Sequence, residues 1–359
     1  MFLSRIFLIS LSFSYFIFPL IVYSSFLESN FYIYAPNFES SYWPSFIAGV
    51  TTIIFSYFVT STRHNIDYYK NLNLIEKSKL INICFYLYLV IIFFEIIYGV
   101  KLRLNGAIRS ELFEEQNIFL FSGAGFLLSA AGLYLVTTKS KLIFNLFFIL
   151  SLFADILYGG KINTFFAVAC FVIRFDLNRV IFKNLSNYKI LLLLSIPSLF
   201  FFLIIGLLRL GDASDNEIGT IIYLMFSEFI GVHASISWAD YYSTQSNVFI
   251  FRHFGQLLQE YYLDSVGHGL ATNPFAFFIY YFNENSLFYY LIFLYVMFYI
   301  FRVLMKIFGA GLIMIFIVTN FQHFMRHGID VFAIKILLSI SIAIWLLSFH
   351  KITYLALQK

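Results

Sequence analysis

Residues 80–99 read LINICFYLYLVIIFFEIIYG, with Glu95 as the only charge, between Lys77 and Lys79 on one side and Lys101 and Arg103 on the other. A helix of that length rises about 30 Å, the thickness of a bilayer's hydrocarbon core. The backbone of such a run has to be helical in lipid, because each unsatisfied amide there costs several kcal/mol. Residues 80–99 therefore predict a transmembrane helix with a basic residue at each end.

The same pattern recurs in both directions along the chain. Apolar blocks of about 17–22 residues alternate with short polar stretches, and the predicted spans are 6–26, 45–62, 80–99, 118–137, 142–158, 162–176, 189–208, 286–304, 309–323 and 331–349. The whole chain is 359 residues, 61% hydrophobic and 12% charged, against about 25% charged in soluble domains. The expected fold is an all-α polytopic membrane protein of about ten transmembrane helices, a single integral membrane domain over 1–359. Val22-Tyr23-Ser24 resembles a signal cleavage site, but the run to Phe26 is long for a signal peptide and reads as a retained first span.

Charge orients these spans. With the N-terminus inside, the cytoplasmic loops and ends hold Arg5, Arg63, Lys70, Lys77, Lys79, Lys139, Lys141, Arg174, Arg179, Lys183, Lys189, Arg302, Lys306, Lys351 and Lys359, most of the 23 basic residues. Most acidic residues fall on the other side, leaving Asp67, Glu76 and Asp176 inside. The positive-inside rule then puts both termini in the cytoplasm. The segment 218–236, IGTIIYLMFSEFIGVHASI, is apolar enough to cross. If it crossed, the Arg302/Lys306 turn and the Lys351/Lys359 tail would lie outside, so it is expected to be re-entrant or interfacial on the outer face. Residues 209–285 are thus one long outer loop, and loops of this length are usually functional.

Ionisable groups in spans mark functional candidates. Glu95, Asp155, Lys161, Arg209 and Lys335 all fall in the outer-leaflet half, which a shared cavity would explain, or snorkelling would for the lysines. Arg209, Arg252 and Arg326 are outer arginines that run against the positive-inside bias. Planar guanidinium forks suit an anionic head group such as pyrophosphate, while Asp212, Glu260 and Asp330 nearby could form plain salt bridges with them. His233, His253, His268, His323 and His327 lie outside or at the outer edge, and a histidine of ordinary pKa can take a proton from a hydroxyl. There is no HExxH, Walker, dinucleotide or GxSxG motif. Basic residues are dispersed among loops and form no long run, so the net charge of +4 does not point to nucleic-acid binding. Cys84 and Cys170 sit in apolar blocks and predict no disulfide framework.

Three short stretches resemble bacterial O-antigen polymerases of the Wzy type and the related O-antigen ligases. They are Tyr158-Gly159-Gly160-Lys161 at the start of a span, Gly267-His268-Gly269 through Asn273-Pro274 at the end of the long loop, and Phe324-Met325-Arg326 with Gly328 before the last span. The number of spans, the late outer loop and the richness in Phe, Ile and Tyr are similar as well. The RX₁₀G pattern of some members has no match, because the residues eleven on from Arg209 and Arg252 are Thr220 and Leu263.

The resemblance implies a GT-C-like membrane glycosyltransferase in the bacterial inner membrane, with its active site facing the periplasm. It implies metal-independent, cofactor-free transfer of a glycan from undecaprenyl pyrophosphate to the next lipid-linked repeat unit, with a chain-length regulator protein as a possible partner. Lys161, Arg209, Arg252 and Arg326 are the expected pyrophosphate ligands, His268 or His323 the favoured base, and Glu260 and Asp155 the reserves. Competing readings are an O-antigen ligase and a flippase for the same lipid-linked units. A flippase would have short loops on both sides and charges along a central channel. An acyltransferase would need an HxxxD-like pair in a suitable loop, and none occurs.

Overall fold

The computed structural model describes residues 1–26, 38–61, 72, 78–105, 124–158, 162–177, 203–204, 218–243 and 271–357. Their elements are all helices. Helix α1 (Phe2–Ser12) runs through one π-helical turn (Phe13–Ile17) into α2 (Phe18–Phe26). Then come α3 (Phe38–Thr60), α4 (Lys79–Leu104), α5 (Ala124–Thr137), α6 (Lys141–Tyr158), α7 (Ile162–Leu177) and α8 (Ile218–Ser243). A short α9 (Pro274–Phe282), a 3-10 turn (Asn283–Asn285), α10 (Ser286–Phe308) and α11 (Ala310–Leu357) complete the described residues.

Four stretches are long and apolar enough to cross a membrane: Phe2–Val22, Glu39–Thr60, Lys79–Leu104 and Pro274–Phe308. The last is broken at Asn283, whose φ is 44°, so its membrane-length part is α10, 23 residues long. On α4, Ile83, Tyr86, Leu87, Val90, Phe93, Phe94 and Ile97 are all exposed, at the three- and four-residue steps of one helix face. The opposite face buries Ile81, Phe85, Tyr88, Ile92 and Ile96. On α10 the exposed stripe is Phe288, Ile292, Tyr295, Tyr299, Val303 and Ile307. Leaving such side chains in water costs about 1.5–3 kcal/mol apiece, so these faces are suited to lipid. The chain is an α-helical membrane protein.

Contacts sort the helix ends into two groups. At one end the Asp176 carboxylate accepts from the backbone N–H of Leu3 and Ser4 and from the Ser4 hydroxyl, at 3.2, 2.8 and 2.7 Å. Those bonds satisfy amides that the first turn of α1 leaves open. Arg5 donates to Thr60, Arg302 to the carbonyls of Phe58 and Ser61, and Arg174 to that of Ser140. At the other end Ser40 donates to Asp240, Ser41 meets Ser237, and Arg103 donates to the Leu157 carbonyl. Helices α1, α4 and α6 therefore run one way and α3 and α7 the other.

Helix α3 ties the bundle together through small and hydroxyl residues. Ser56 meets Ser12 at 3.1 Å, Thr52 meets the Tyr290 hydroxyl at 2.7 Å, and Ser41 meets Ser237 at 3.0 Å. Gly49 lies against Phe16 and Ile17, where the π-helical turn widens α1. At the centre, Ala310 to Met325 of α11 is buried almost throughout.

The described parts of the segment expected as a long outer loop, 218–243 and 271–285, differ in detail from that expectation. Helix α8 continues past 236 to Ser243 and takes in Trp238-Ala239-Asp240-Tyr241-Tyr242, since no Gly or Pro interrupts the run after Gly231. Helix α9 was not expected; Asn273 caps it by accepting from the Phe275 N–H at 2.9 Å, with Pro274 in its first turn. Predicted span 189–208 lies outside the described residues apart from 203–204.

A Cβ at Gly49 would sit 2.7 Å from both Phe16 Cβ and Ile17 Cδ1, whereas at Gly132 its nearest neighbours are 3.5 Å away. Gly49→Ala is expected to lower stability by about 1–3 kcal/mol through overpacking, and Gly132→Ala to leave it unchanged or slightly raised. Thermal unfolding of the detergent-purified variants checks both.

Candidate functional site

The chain folds back on itself within α11. Phe324 and Phe332 would lie about 12 Å apart along a straight helix, yet their ring centroids are 5.1 Å apart. The turn is at Gly328, with φ 82° and ψ −174°, a region that essentially only glycine occupies. Helix α11 is thus two arms, one ending near His327 and the other starting near Ile329, and they correspond to the predicted spans 309–323 and 331–349.

This turn builds a basic cluster. Lys335 Nζ on the second arm lies 2.8 Å from His323 Nε2 on the first. Arg326, one helical turn on from His323, acts electrostatically on Lys335. His323 is 5% exposed, and Lys335 and Arg326 are half-buried. Phe324 packs on Phe293 and Phe321 as well as Phe332, which holds the first arm against α10. Phe293 is about 10 Å along α10 from Ser286, so the cluster belongs to the bundle end that carries the Asn283–Asn285 turn.

Asp155 stands elsewhere. Its carboxylate accepts from the backbone N–H of Asn163 at 3.3 Å, the Asn163 side chain at 3.2 Å and the Thr164 N–H at 2.6 Å. It thereby caps the start of α7 from the end of α6, satisfying donors that α7 cannot. Glu95 is buried within electrostatic range of Asp155, and both act on Tyr88. These acids form a second polar group on α4, α6 and α7.

Of the expected site residues, His323 and Arg326 come together, and Asp155 serves a helix start. Lys161, Arg209, Arg252, Glu260 and His268 lie outside the described residues. Lys335, read from the sequence as an outer-leaflet ionisable group with Glu95, Asp155, Lys161 and Arg209 but given no catalytic or pyrophosphate role, joins the cluster. Its signal was a lysine one turn inside an apolar block, which could equally have reached the interface; instead it turns inward to His323. Among the described residues no group of three His, Cys, Asp or Glu side chains could hold a metal ion.

With Lys335 charged, its N–H donates to His323 Nε2 and the imidazole proton sits on Nδ1. All three side chains then present donors, an arrangement suited to an anion. The chain matches no family model, no curated protein and no solved structure.

Gly328→Ala is expected to cost about 1–3 kcal/mol, the strain of a side chain in that backbone region. It should also separate the two arms. A disulfide between cysteines placed at Phe324 and Phe332 reads the turn directly: it should form readily with Gly328 and poorly with alanine there.

Proposed function

We propose that this chain is a membrane glycosyltransferase of the O-antigen polymerase type. It would join undecaprenyl-pyrophosphate-linked repeat units into O-antigen or a related surface polysaccharide. The observation that carries the reading is the convergence of His323, Arg326 and Lys335 at the Gly328 turn, in a chain whose short motifs resemble that family. Guanidinium and ammonium groups set beside an imidazole donor suit an anionic ligand, and a lipid-linked pyrophosphate brings one to the membrane surface.

In the proposed reaction the bond between the donor's anomeric carbon and its pyrophosphate oxygen breaks. A hydroxyl of the acceptor sugar forms the new glycosidic bond and loses its proton to a base. The leaving pyrophosphate takes both bonding electrons and needs cationic stabilisation more than a general acid. Arg326 and Lys335 would supply that charge, and His323 a donor from Nδ1. This assigns His323 to the anion and leaves His268 as the favoured base, with Glu260 in reserve. Lys161, Arg209 and Arg252 are further candidate ligands.

The site would face the periplasm from the inner membrane, with both termini in the cytoplasm. The gathering of Arg5, Arg174 and Arg302 at the opposite end of the bundle supports that orientation. The chain-length regulator remains a proposed partner on the resemblance alone.

Deleting the gene and resolving the lipopolysaccharide on a gel tests the reading. Loss of polymerisation leaves core plus a single repeat unit, while bare core would indicate a ligase and an intact ladder would exclude both. Arg326→Ala and Lys335→Ala are each expected to cut polymer formation about 10- to 100-fold, the worth of a charge-assisted hydrogen bond. Normal long polymer from both variants at wild-type expression would contradict the site.

A further inference from the structure

A groove at the same end of the bundle differs from the basic cluster in its chemistry. It has a volume of about 340 Å³ and lies between the start of α3, the end of α8 and the α9–α10 turn. That volume falls at the small end of ligand pockets. Its lining includes Trp43, Asp240, Asn283, Glu284, Ser40 and Ser286. Trp43 is 66% exposed, with the Tyr42 and Phe46 rings set nearly perpendicular to it at centroid distances of 5.6 and 6.0 Å. That exposure leaves most of the indole surface open to a ligand.

Three features narrow the ligand. Among the described residues the lining contains two carboxylates and no lysine or arginine, so a phosphate or pyrophosphate is disfavoured there. Carboxylate and amide oxygens accept from hydroxyls, and the Asn283 amide and serine hydroxyls can also donate. A sugar ring offers hydroxyls around its edge and an apolar C–H face that stacks on an indole. The groove's mixture of one aromatic plate with a rim of acceptors matches that shape and chemistry.

The rim is also held in place. Ser40 donates to Asp240 at 2.5 Å, tying α3 to α8. The Phe278–Phe282 and Phe282–Tyr289 stacks brace the turn that carries Asn283 and Glu284. The exposed polar run Asn283–Asn285 opens this side to water.

We propose that this groove binds a sugar of the substrate glycan, with Trp43 as its stacking platform and Asp240, Asn283 and Glu284 as its hydroxyl partners. Under the function proposed above, on which this assignment rests, the groove receives the glycan while the His323–Arg326–Lys335 cluster holds the pyrophosphate. The two sites divide an amphiphilic substrate by charge: neutral polyol to the acidic groove, anion to the basic cluster.

The probe is the water-soluble glycan that mild acid releases from the lipid-linked oligosaccharides of the same cells. It is titrated into the full-length protein in nanodiscs while tryptophan emission is followed. A saturable change is expected, absent in Trp43→Phe, about fivefold weaker in Asp240→Asn and Glu284→Gln, and unaltered in Arg326→Ala. The inference is overturned by no saturable change, by the same change in Trp43→Phe, or by an equal response to inorganic pyrophosphate. The lipopolysaccharide gel separates this from the functional reading. Glycan binding with an intact ladder after gene deletion keeps the groove and removes the polymerase. Lost polymerisation without glycan binding keeps the polymerase and removes the groove.

Discussion

Lipid gives helices no hydrophobic reason to associate, because its tails are as apolar as the side chains they surround. Close approach of small residues and hydrogen bonds between helices have to hold the bundle. Helix α3 meets that constraint in this protein. Gly49 lets it touch the widened turn of α1, and Thr52, Ser56 and Ser41 bond to α10, α1 and α8 in turn. The positions of α8 and α10, and through them the groove, follow from these contacts. At the basic end, Asp176 on the start of α1 adds a polar tie between α7 and α1.

The same constraint separates polar groups that hold structure from those that suit a ligand. Asp155 is buried but meets three donors at the start of α7, which accounts for a carboxylate in that place. Asp176 is accounted for likewise. His323, Arg326 and Lys335 gather donors instead, two of them cationic side chains. Such a set suits an anionic ligand. The contrast between a carboxylate with donors and a cluster of donors is the physical ground for assigning one to architecture and the other to binding.

Much of the fold was legible because helix length and apolar periodicity are local. Predicted span 142–158 is α6 (Lys141–Tyr158), 162–176 is α7 (Ile162–Leu177), and 286–304 begins with α10 at Ser286. The turn at Gly328 was marked by a glycine between two apolar blocks. Helix α9 was missed although Asn273-Pro274 is a helix-start signal, because nine residues are too few to read as a span. The candidate site was half legible: His323 and Arg326 share a face by spacing. Lys335 could not be joined to them, since a contact twelve residues away requires knowing that the chain reverses at Gly328. The groove was illegible for the same reason on a larger scale. Trp43, Asp240 and Glu284 are brought together only by packing.

The central claim is that the basic cluster and the groove share one side of the membrane, opposite the arginine-rich end. Cysteine accessibility tests it most directly. Cys84 and Cys170 are buried, so single cysteines can be introduced at Glu284 and Lys139 in a chain whose own cysteines are replaced by serine. A membrane-impermeant maleimide added to spheroplasts should label the cysteine at 284 at once, and the one at 139 only after permeabilisation. Labelling of both from the outside, or of 139 alone, would contradict the account.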